Sequence, residues 1–370
     1  MNAEQKRVYD AVQSGLTLRQ AAKTLCISYD TARGRYRRAK RWVEADPSAQ
    51  AAATAAGANV VPHSYWVKKD GVSAYFKTQQ QQDDQESLIE RVAEAFRDIP
   101  AYEYQPVDMV HNDLLTVYPL YDIHAGMLAD GAETRADDYD LSLFKSDLLA
   151  AVSRLNTRVP SGGHALVILG GDTLHTNDYT NETPGHKHKL DADSRFEKIT
   201  DIAIEAICHA IEEIASRNAR VSVVVLAGNH DVSSHIVLKA ALKQRYRDGN
   251  RIDFPIVSGA PRSEIFWIRH GNTMIAAHHG DKLKPQTLAM ICADQCGFWS
   301  DTRHRVILTG HRHHLRVEDM PGVTHMTLRA FAPCDAYGAN FGGQRGLQAM
   351  VFDDKQGMIA QFHDTIWREE

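Results

Sequence analysis

Cysteine is scarce and shows no pairing pattern. The five, at positions 26, 208, 292, 296 and 334, are odd in number and scattered, which excludes the disulfide framework of a small secreted domain. Cys292 and Cys296 stand four apart on an expected helix, but nothing nearby completes a tetrahedral metal clip with them, so they read as packing residues. Long apolar runs are also missing. The stretch from Val221 to Ala227 is among the longest, far short of the roughly 20 residues a membrane-spanning helix needs. No apolar segment of about 7–15 residues follows the opening MNAEQKRVYD, so a secretory signal is not expected. These absences point to a reducing, cytoplasmic setting without a membrane partner. What remains is ordinary globular material, with 43% hydrophobic and 24% charged residues, and 370 residues allow one large core plus a small module. Histidine is the excess, since 19 of them is about twice common usage.

Charge is uneven along the chain. Residues 1–47 hold ten Lys/Arg and five Asp/Glu, a net of +5 against −5 for the whole, so the rest is acidic and exerts no general attraction on nucleic acid. The basic residues gather in TARGRYRRAKRW (31–42). Val8, Val12 and Leu16 mark a first helix, and LRQAAKTL (18–25) a second with Ala22 and Leu25 on one face. After a turn at 26–28, Ser28 caps a third helix from about Tyr29 to Glu44, with Ala32, Tyr36, Ala39 and Val43 on its buried side. Its other side presents Arg33, Arg37, Lys40 and Arg41. The pattern resembles a helix-turn-helix, and residues 18–45 are expected to contact DNA phosphates. A solvated basic helix or a subunit-docking module is the alternative, and homo-oligomerisation stays open.

An Ala-rich stretch after Pro47 reads as a linker. YWVKKDGVSAYF (65–76) places Asp70-Gly71 between two β-like runs, a hairpin signal. QQQQDD follows as a spacer, then an expected helix over about 85–98. From about residue 107 short apolar strands alternate with helices, notably about 141–156, 192–217 and 236–247. Five strands end in polar clusters: LLTVYPL before Asp122, ALVIL before Asp172, VSVVVLA before Asn229, TMIAA before His278, and RVILT before His311. In such folds functional groups gather beyond the carboxyl ends of strands, so the five clusters should converge on one edge.

In order the clusters read DIH, GGD, GNHD, HHGD and GHRH, and over about residues 115–315 they resemble the calcineurin-like metallophosphoesterases. Carboxylate, imidazole and amide oxygens with no thiolate suit a pair of divalent cations, Mn²⁺ foremost, with Fe, Zn²⁺ or Ni²⁺ as alternatives. The resemblance implies that Asp122, His124 and His313 hold one ion, that Asn229, His279 and His311 hold the other, and that Asp172 bridges them. It further implies a bridging hydroxide as nucleophile and His230 as the general acid, with Asp231, Asn177 or Asp178 as candidates to orient the imidazole. His278 rivals His279, but the family pattern puts the ligand directly before Gly, which favours His279; His314 beside His313 is at best a supporting residue. The polar segment 175–195 should loop over the site, with His175, His186, His188, Lys187, Lys189 and Arg195 as candidates for substrate phosphate, as is Arg312.

The arginines with which protein phosphatases of this superfamily grip a phosphomonoester have no counterpart in GGDTLHTND and VLAGNHD. That departure resembles the phosphodiesterase and DNA-nuclease branch, and the combination with a helix-turn-helix resembles proteins of phage or prophage origin. A nucleic-acid phosphodiesterase is therefore expected. The alternatives are a small-molecule phosphodiesterase, for instance of cyclic nucleotides, and a DNA-binding regulator with a structural metal site. The expected fold is α/β, two mixed β-sheets packed as a sandwich with helices outside, over 107–370. A helix-turn-helix-like module at 1–46, and a linker, hairpin and connecting helix at 47–106, precede it. The tail runs THMTLRAF and LQAMVFDD are expected to complete one sheet.

Overall fold

The computed structural model describes residues 2–44, 64–69, 72–77, 102–103, 105–248, 251–259, 264–334 and 343–367. The chain divides into two compact units, Met1–Leu88 and Ile89–Glu370.

In the first unit, helix starts are written in the sequence. Asn2 and Thr17 each close a capping box with a glutamine three residues on, opening α1 (Ala3–Gln13) and α2 (Leu18–Thr24). Ser28 accepts from the Thr31 N–H at 3.1 Å and opens α3 (Tyr29–Glu44). Val8, Ala22 and Ala32 form a small core that Leu18, Leu25, Ile27 and Tyr36 border. Val43 departs from the sequence expectation: it is 48% exposed, because the last turn of α3 runs past that core. Arg35 turns to Glu4 at 2.6 Å, whereas Arg37, Arg38 and Lys40 are exposed. The side chain of Arg41 lies outside the described ones. Strands β1 (Ser64–Lys69) and β2 (Val72–Lys77) pair antiparallel with Lys69 opposite Val72, a register that two connecting residues close. Asp70-Gly71, the Ala-rich stretch, QQQQDD and the expected helix over 85–98 lie outside the described residues.

The second unit holds two sheets. The six-stranded one has the order β13-β12-β3-β4-β5-β6: β3 (Leu114–Leu120), β4 (His164–Leu169), β5 (Arg220–Val225) and β6 (Ile252–Asp253) run parallel, with β12 (Leu347–Asp353) and β13 (Gly357–Asp364) added antiparallel. The five-stranded one has the order β10-β11-β9-β8-β7, from β7 (Phe266–His270), β8 (Thr273–His278), β9 (His304–Thr309), β10 (Arg316–Met320) and β11 (Val323–Thr327). Between the sheets lies an apolar layer of Leu115, Val117, Leu166, Ile168, Val224, Ile275 and Leu308. Strands buried on both faces need near-continuous apolar runs, which is why LLTVYPL, HALVIL and VSVVV read as they do.

A short helix, α4 (Gly131–Thr134), precedes the covering helices. Leu148 and Val152 of α5 (Leu141–Arg158), Ile207 and Ile211 of α6 (Phe196–Ala215), and Leu238 of α7 (Ser234–Arg245) share one core with the outer face of the six-stranded sheet. Leu288 and Cys292 of α8 (Pro285–Gln295), with Cys296 just beyond it, cover the outer face of the other sheet. The fold is thus the α/β sandwich of two mixed sheets. The tail runs do not complete one sheet: β11 joins the five-stranded sheet and β12 the six-stranded one, because each pairs where a parallel core strand, β9 or β3, leaves an edge. Among the described residues no helix is long and apolar enough to cross a membrane.

Edge strand β13 is pinned to α5 by Asp364, 3% exposed, which accepts from Arg154 Nε at 2.6 Å and Nη2 at 2.8 Å. Burial raises the Asp364 pKa, but the Arg154 guanidinium and the Ile366 N–H outweigh it and hold the carboxyl below its ordinary value. Asp364→Asn should therefore cost about 1.5–3 kcal/mol near pH 7, a loss that shrinks as the pH falls through the depressed range of the carboxyl. Equal denaturant midpoints of the two proteins at pH 7 would contradict this.

Candidate metal centre

The five polar clusters meet at the carboxyl ends of strands drawn from both sheets. Asp122 and His124 follow β3, Asp172 follows β4, Asn229 to Asp231 follow β5, His279 follows β8, and His311 and His313 follow β9. Five of these, Asp122, His124, Asp172, His311 and His313, have φ between 47° and 67°, a left-handed backbone that non-glycine residues rarely adopt. Such strain persists only where surrounding contacts over-determine it, and it gathers at functional sites.

The contacts are main-chain N–H groups lacing one motif to another. Asp122 Oδ2 accepts from the His311 N–H at 2.8 Å, and Asp172 Oδ1 from the His230 N–H at 2.7 Å. Two glycines allow the approach. A Cβ on Gly228 would strike the Asp172 carboxylate and one on Gly310 the Asp122 carboxylate, so GNH and GH need glycine for space.

Ligand atoms of Asp122, His124 and His313 lie within 4.8 Å of one another, as do those of Asp172, His279 and His311. The Asn229 Oδ1 is 3.1 Å from His279 Nε2, which places it with the second group. Three features suit these groups to divalent cations. Asp122 Oδ1 and His124 Nε2 are buried and have no hydrogen-bond partner among the described residues. His279 donates from Nδ1 to the Gly170 carbonyl at 3.0 Å, so its Nε2, in the neutral ring an acceptor, faces the oxygens of Asn229 and Asp172 at 3.1 and 3.2 Å. A ring nitrogen set between two acceptor oxygens calls for positive charge there, as a proton or a cation. The donor set is also nitrogen and oxygen throughout.

Electrostatics follow the same division. Burial tends to lower the His279 pKa, but the Asp172 carboxylate outweighs it and holds the imidazole up at about 10, and the pairing drives Asp172 well below its ordinary value against the opposing effect of its own burial. His124 and His311 are lowered, chiefly by burial, which favours the neutral rings a cation needs.

His230 stacks edge-on against His124, ring centroids 4.7 Å apart, and its Nδ1 lies 2.9 Å from the carbonyl oxygen of His175. The orienting acceptor is thus the main chain of His175 and none of Asp231, Asn177 or Asp178. Asn177 Oδ1 accepts from the Ser233 N–H at 2.7 Å, and Asp178 Oδ1 from Thr180. Asp231, expected as a catalytic residue, is fully buried and accepts main-chain N–H groups from Gly228 (2.7 Å), Asp172 (3.2 Å), Thr173 (2.8 Å) and Leu174 (3.3 Å). Its position is that of a clamp between the Asp172 and Asn229 loops. Burial and the neighbouring Asp172 raise its pKa.

His175 differs from its expected place in a solvent-facing loop. It is 1% exposed, with Nδ1 3.3 Å from His124 Nδ1, so side chain and carbonyl serve two different imidazoles. Burial lowers its pKa to about 3. The sequence signal for it was slight, a histidine three residues after Asp172 on a turn that still bridges to residue 125. Supporting partners of metal-ligating histidines are worth about 10–100-fold in metal affinity, so His175→Ala should weaken metal binding by that factor, read by titration. Unaltered affinity would remove His175 from this role.

His186 and His188 are exposed, with ring centroids 5.8 Å apart, and like Lys189 they line the cleft over the centre. Lys187 is exposed and Arg195 is the N-cap of α6. His278 turns away from the centre, its Nδ1 accepting from the Gly280 N–H at 2.8 Å, which leaves His279 as the inward residue. His314 is exposed and bonds the Arg312 carbonyl at 2.6 Å.

In the order of its motifs the chain resembles the calcineurin-like metallophosphoesterases. No family model and no curated protein matches it. Among solved structures it is similar to YfcE, a phosphoesterase from E. coli, at 15% identity and a TM-score of 0.33, over 67% of this chain and 98% of that one. An archaeal phosphodiesterase is 14% identical with a TM-score of 0.35, over 67% and 99%. A putative 5'-nucleotidase from Staphylococcus aureus is 9% identical with a TM-score of 0.33, over 70% of this chain and 55% of that one. At these scores the likenesses carry no weight of their own, and function has to be read from the side chains.

Proposed function

We propose that this chain is a metal-dependent phosphodiester hydrolase whose substrate is nucleic acid. The observation that carries the reading is the convergence of seven candidate nitrogen and oxygen ligands in two adjoining groups, with the imidazole of His230 packed on His124 and tied through Nδ1 to the His175 carbonyl. Asp122, His124 and His313 would hold one cation and Asn229, His279 and His311 the other, with Asp172 shared. Bound there, divalent cations supply Lewis acidity toward phosphoryl oxygens and lower the pKa of water.

The protein's own part is orientation and proton transfer. A carbonyl can only accept, so His230 Nδ1 must donate to His175, and the imidazolium form carries on Nε2 the proton that it can give to the leaving oxygen. A structural metal site has no use for such a group. The cleft measures ≈1270 Å³, beyond the roughly 300–1,000 Å³ usual for small-molecule pockets, and Lys189, Lys282, Lys284, Arg312 and Arg316 line it. A wide cleft whose lining carries more basic than acidic residues suits a polyanionic chain. The exposed Arg37, Arg38 and Lys40 of α3 support a second, DNA-binding element on the same chain, which raises the local concentration of substrate.

The test is hydrolysis of bis-p-nitrophenyl phosphate and p-nitrophenyl phosphate with Mn²⁺, beside cleavage of plasmid and single-stranded DNA. Diester turnover with DNA cleavage is expected. Diester turnover without it would move the reading to a small-nucleotide phosphodiesterase, and silence on all four would return it to a structural metal site. Removing residues 1–50 should leave the small diester turned over as before but weaken DNA binding, most visibly at low salt. Equal DNA affinity of the two forms would take the N-terminal helices out of substrate capture.

A further inference from the structure

The cleft does not end at the metal ligands. It continues along the outer face of the five-stranded sheet, where Thr309 of β9 and His325 and Thr327 of β11 line it. Alternation along the strands explains their direction: Val306, Leu308 and Met326 point into the layer between the sheets, so Thr309, His325 and Thr327 point out. Strand β10 sets Glu318 opposite His325 and Arg316 opposite Thr327 on the same face. The cleft is also lined by Leu283 and Pro285, half-buried apolar residues at the start of α8 that alternate with Lys282 and Lys284. The lining there thus sets apolar side chains beside a polar floor.

His325 is the unusual group on that floor. It is 2% exposed, and its Nε2 meets the Thr309 hydroxyl at 2.9 Å. Its Nδ1 is buried with no hydrogen-bond partner among the described residues. An orphaned polar atom in a protein interior costs free energy, and a few such atoms lining an apolar cleft are the mark of a site that recognises a ligand. Burial lowers the pKa of this imidazole, so it offers a neutral ring. Whichever role Thr309 takes toward Nε2, Nδ1 is left with the complementary one, donor or acceptor. Two residues beyond Thr309 stands the ligand His311, so a group on this floor is next to the metal centre.

We propose that this part of the cleft, floored by Thr309, His325 and Thr327 and walled by Leu283 and Pro285, is a subsite for the nucleoside attached to the scissile phosphate. The inference rests on the phosphodiesterase reading above. A flat heterocycle fits against the apolar wall while its edge, which carries both donors and acceptors, meets His325. Arg316 at the rim suits the next phosphate of a chain.

The test compares the p-nitrophenyl ester of thymidine 5'-monophosphate with bis-p-nitrophenyl phosphate, which carries no nucleoside, as the ratio of kcat/KM in the Mn²⁺-loaded full-length protein. His325→Leu is expected to lower that ratio about tenfold or more, and His325→Asn, which keeps a hydrogen-bonding edge, to recover part of it. A loss shared equally by both esters, or no change in the ratio, would overturn the subsite. A wild-type measurement stands should the variants fail to fold: thymidine 5'-monophosphate should bind at least tenfold more tightly than methyl phosphate, read by thermal shift with Mn²⁺. Equal binding refutes the subsite. A wild type that binds the nucleotide selectively yet turns over neither ester would instead sink the phosphodiesterase reading and leave the subsite standing.

Discussion

His230→Ala is expected to lower kcat on a phosphodiester by about 10²–10⁴-fold, the range usual for a lost general acid, while metal content stays at the wild-type value. Both halves follow from geometry. The ring bonds the His175 carbonyl through Nδ1 and packs on His124, but it belongs to neither set of ligands drawn from Asp122 or Asp172. What the substitution removes is the imidazole whose Nε2 is left to meet the leaving oxygen. The backbone N–H of residue 230, which holds Asp172 Oδ1 at 2.7 Å, survives in alanine. A substrate whose leaving group needs no proton, such as p-nitrophenolate, should lose less than a DNA phosphodiester does. Loss of metal in the variant, or equal losses on the two substrates, would make His230 a structural residue.

Asp172→Asn should empty the centre. Its carboxylate faces His279 at 3.2 Å and accepts from the His230 N–H, and it is the acidic member of the second ligand group. A neutral amide there removes the charge that attracts a cation and that holds the His279 pKa up at about 10, so an unpaired imidazole is left in a buried setting. Metal affinity should fall by more than the roughly 10–100-fold that a supporting residue is worth, with turnover falling in step. The control is Asp231→Asn. Its four main-chain donors serve loop position, so it should cost stability before it costs metal. Isothermal titration separates the cases: an Asp172→Asn protein that still binds as wild type would show that the two groups do not share this carboxylate.

Much of the site could be read from the chain because each ligand sits next to a feature of local grammar. An apolar run ends, a glycine or a strained turn follows, and a polar side chain stands at the sheet end. Gly228 and Gly310 stand in the motifs because a Cβ would strike Asp172 and Asp122, a constraint that leaves a mark in sequence. The choice between His278 and His279 rested on the resemblance, which puts the ligand directly before glycine, and in the structure His278 turns instead to the Gly280 N–H. His175 was not legible. Nothing local distinguishes a histidine folded under His124 from one in the polar loop that follows it. Asp231 misled in the opposite sense, since a carboxylate next to His230 in sequence invites a pairing that the turn of the chain does not make.

Composition and periodicity by themselves determined the α/β class and the alternation of strands and helices in the second unit, and the order of the motifs marked the candidate ligands through the family they resemble, because all of these are set within a few residues. Tertiary structure alone decided which sheet each tail strand joins, that the His175 carbonyl orients His230, that Asp231 clamps two loops, and that His325 floors the cleft beyond His311. Those depend on contacts between residues far apart in the chain. Such contacts are selected by the packing of two sheets and by the hydrogen bonds that buried polar groups must find, neither of which has a period along the sequence.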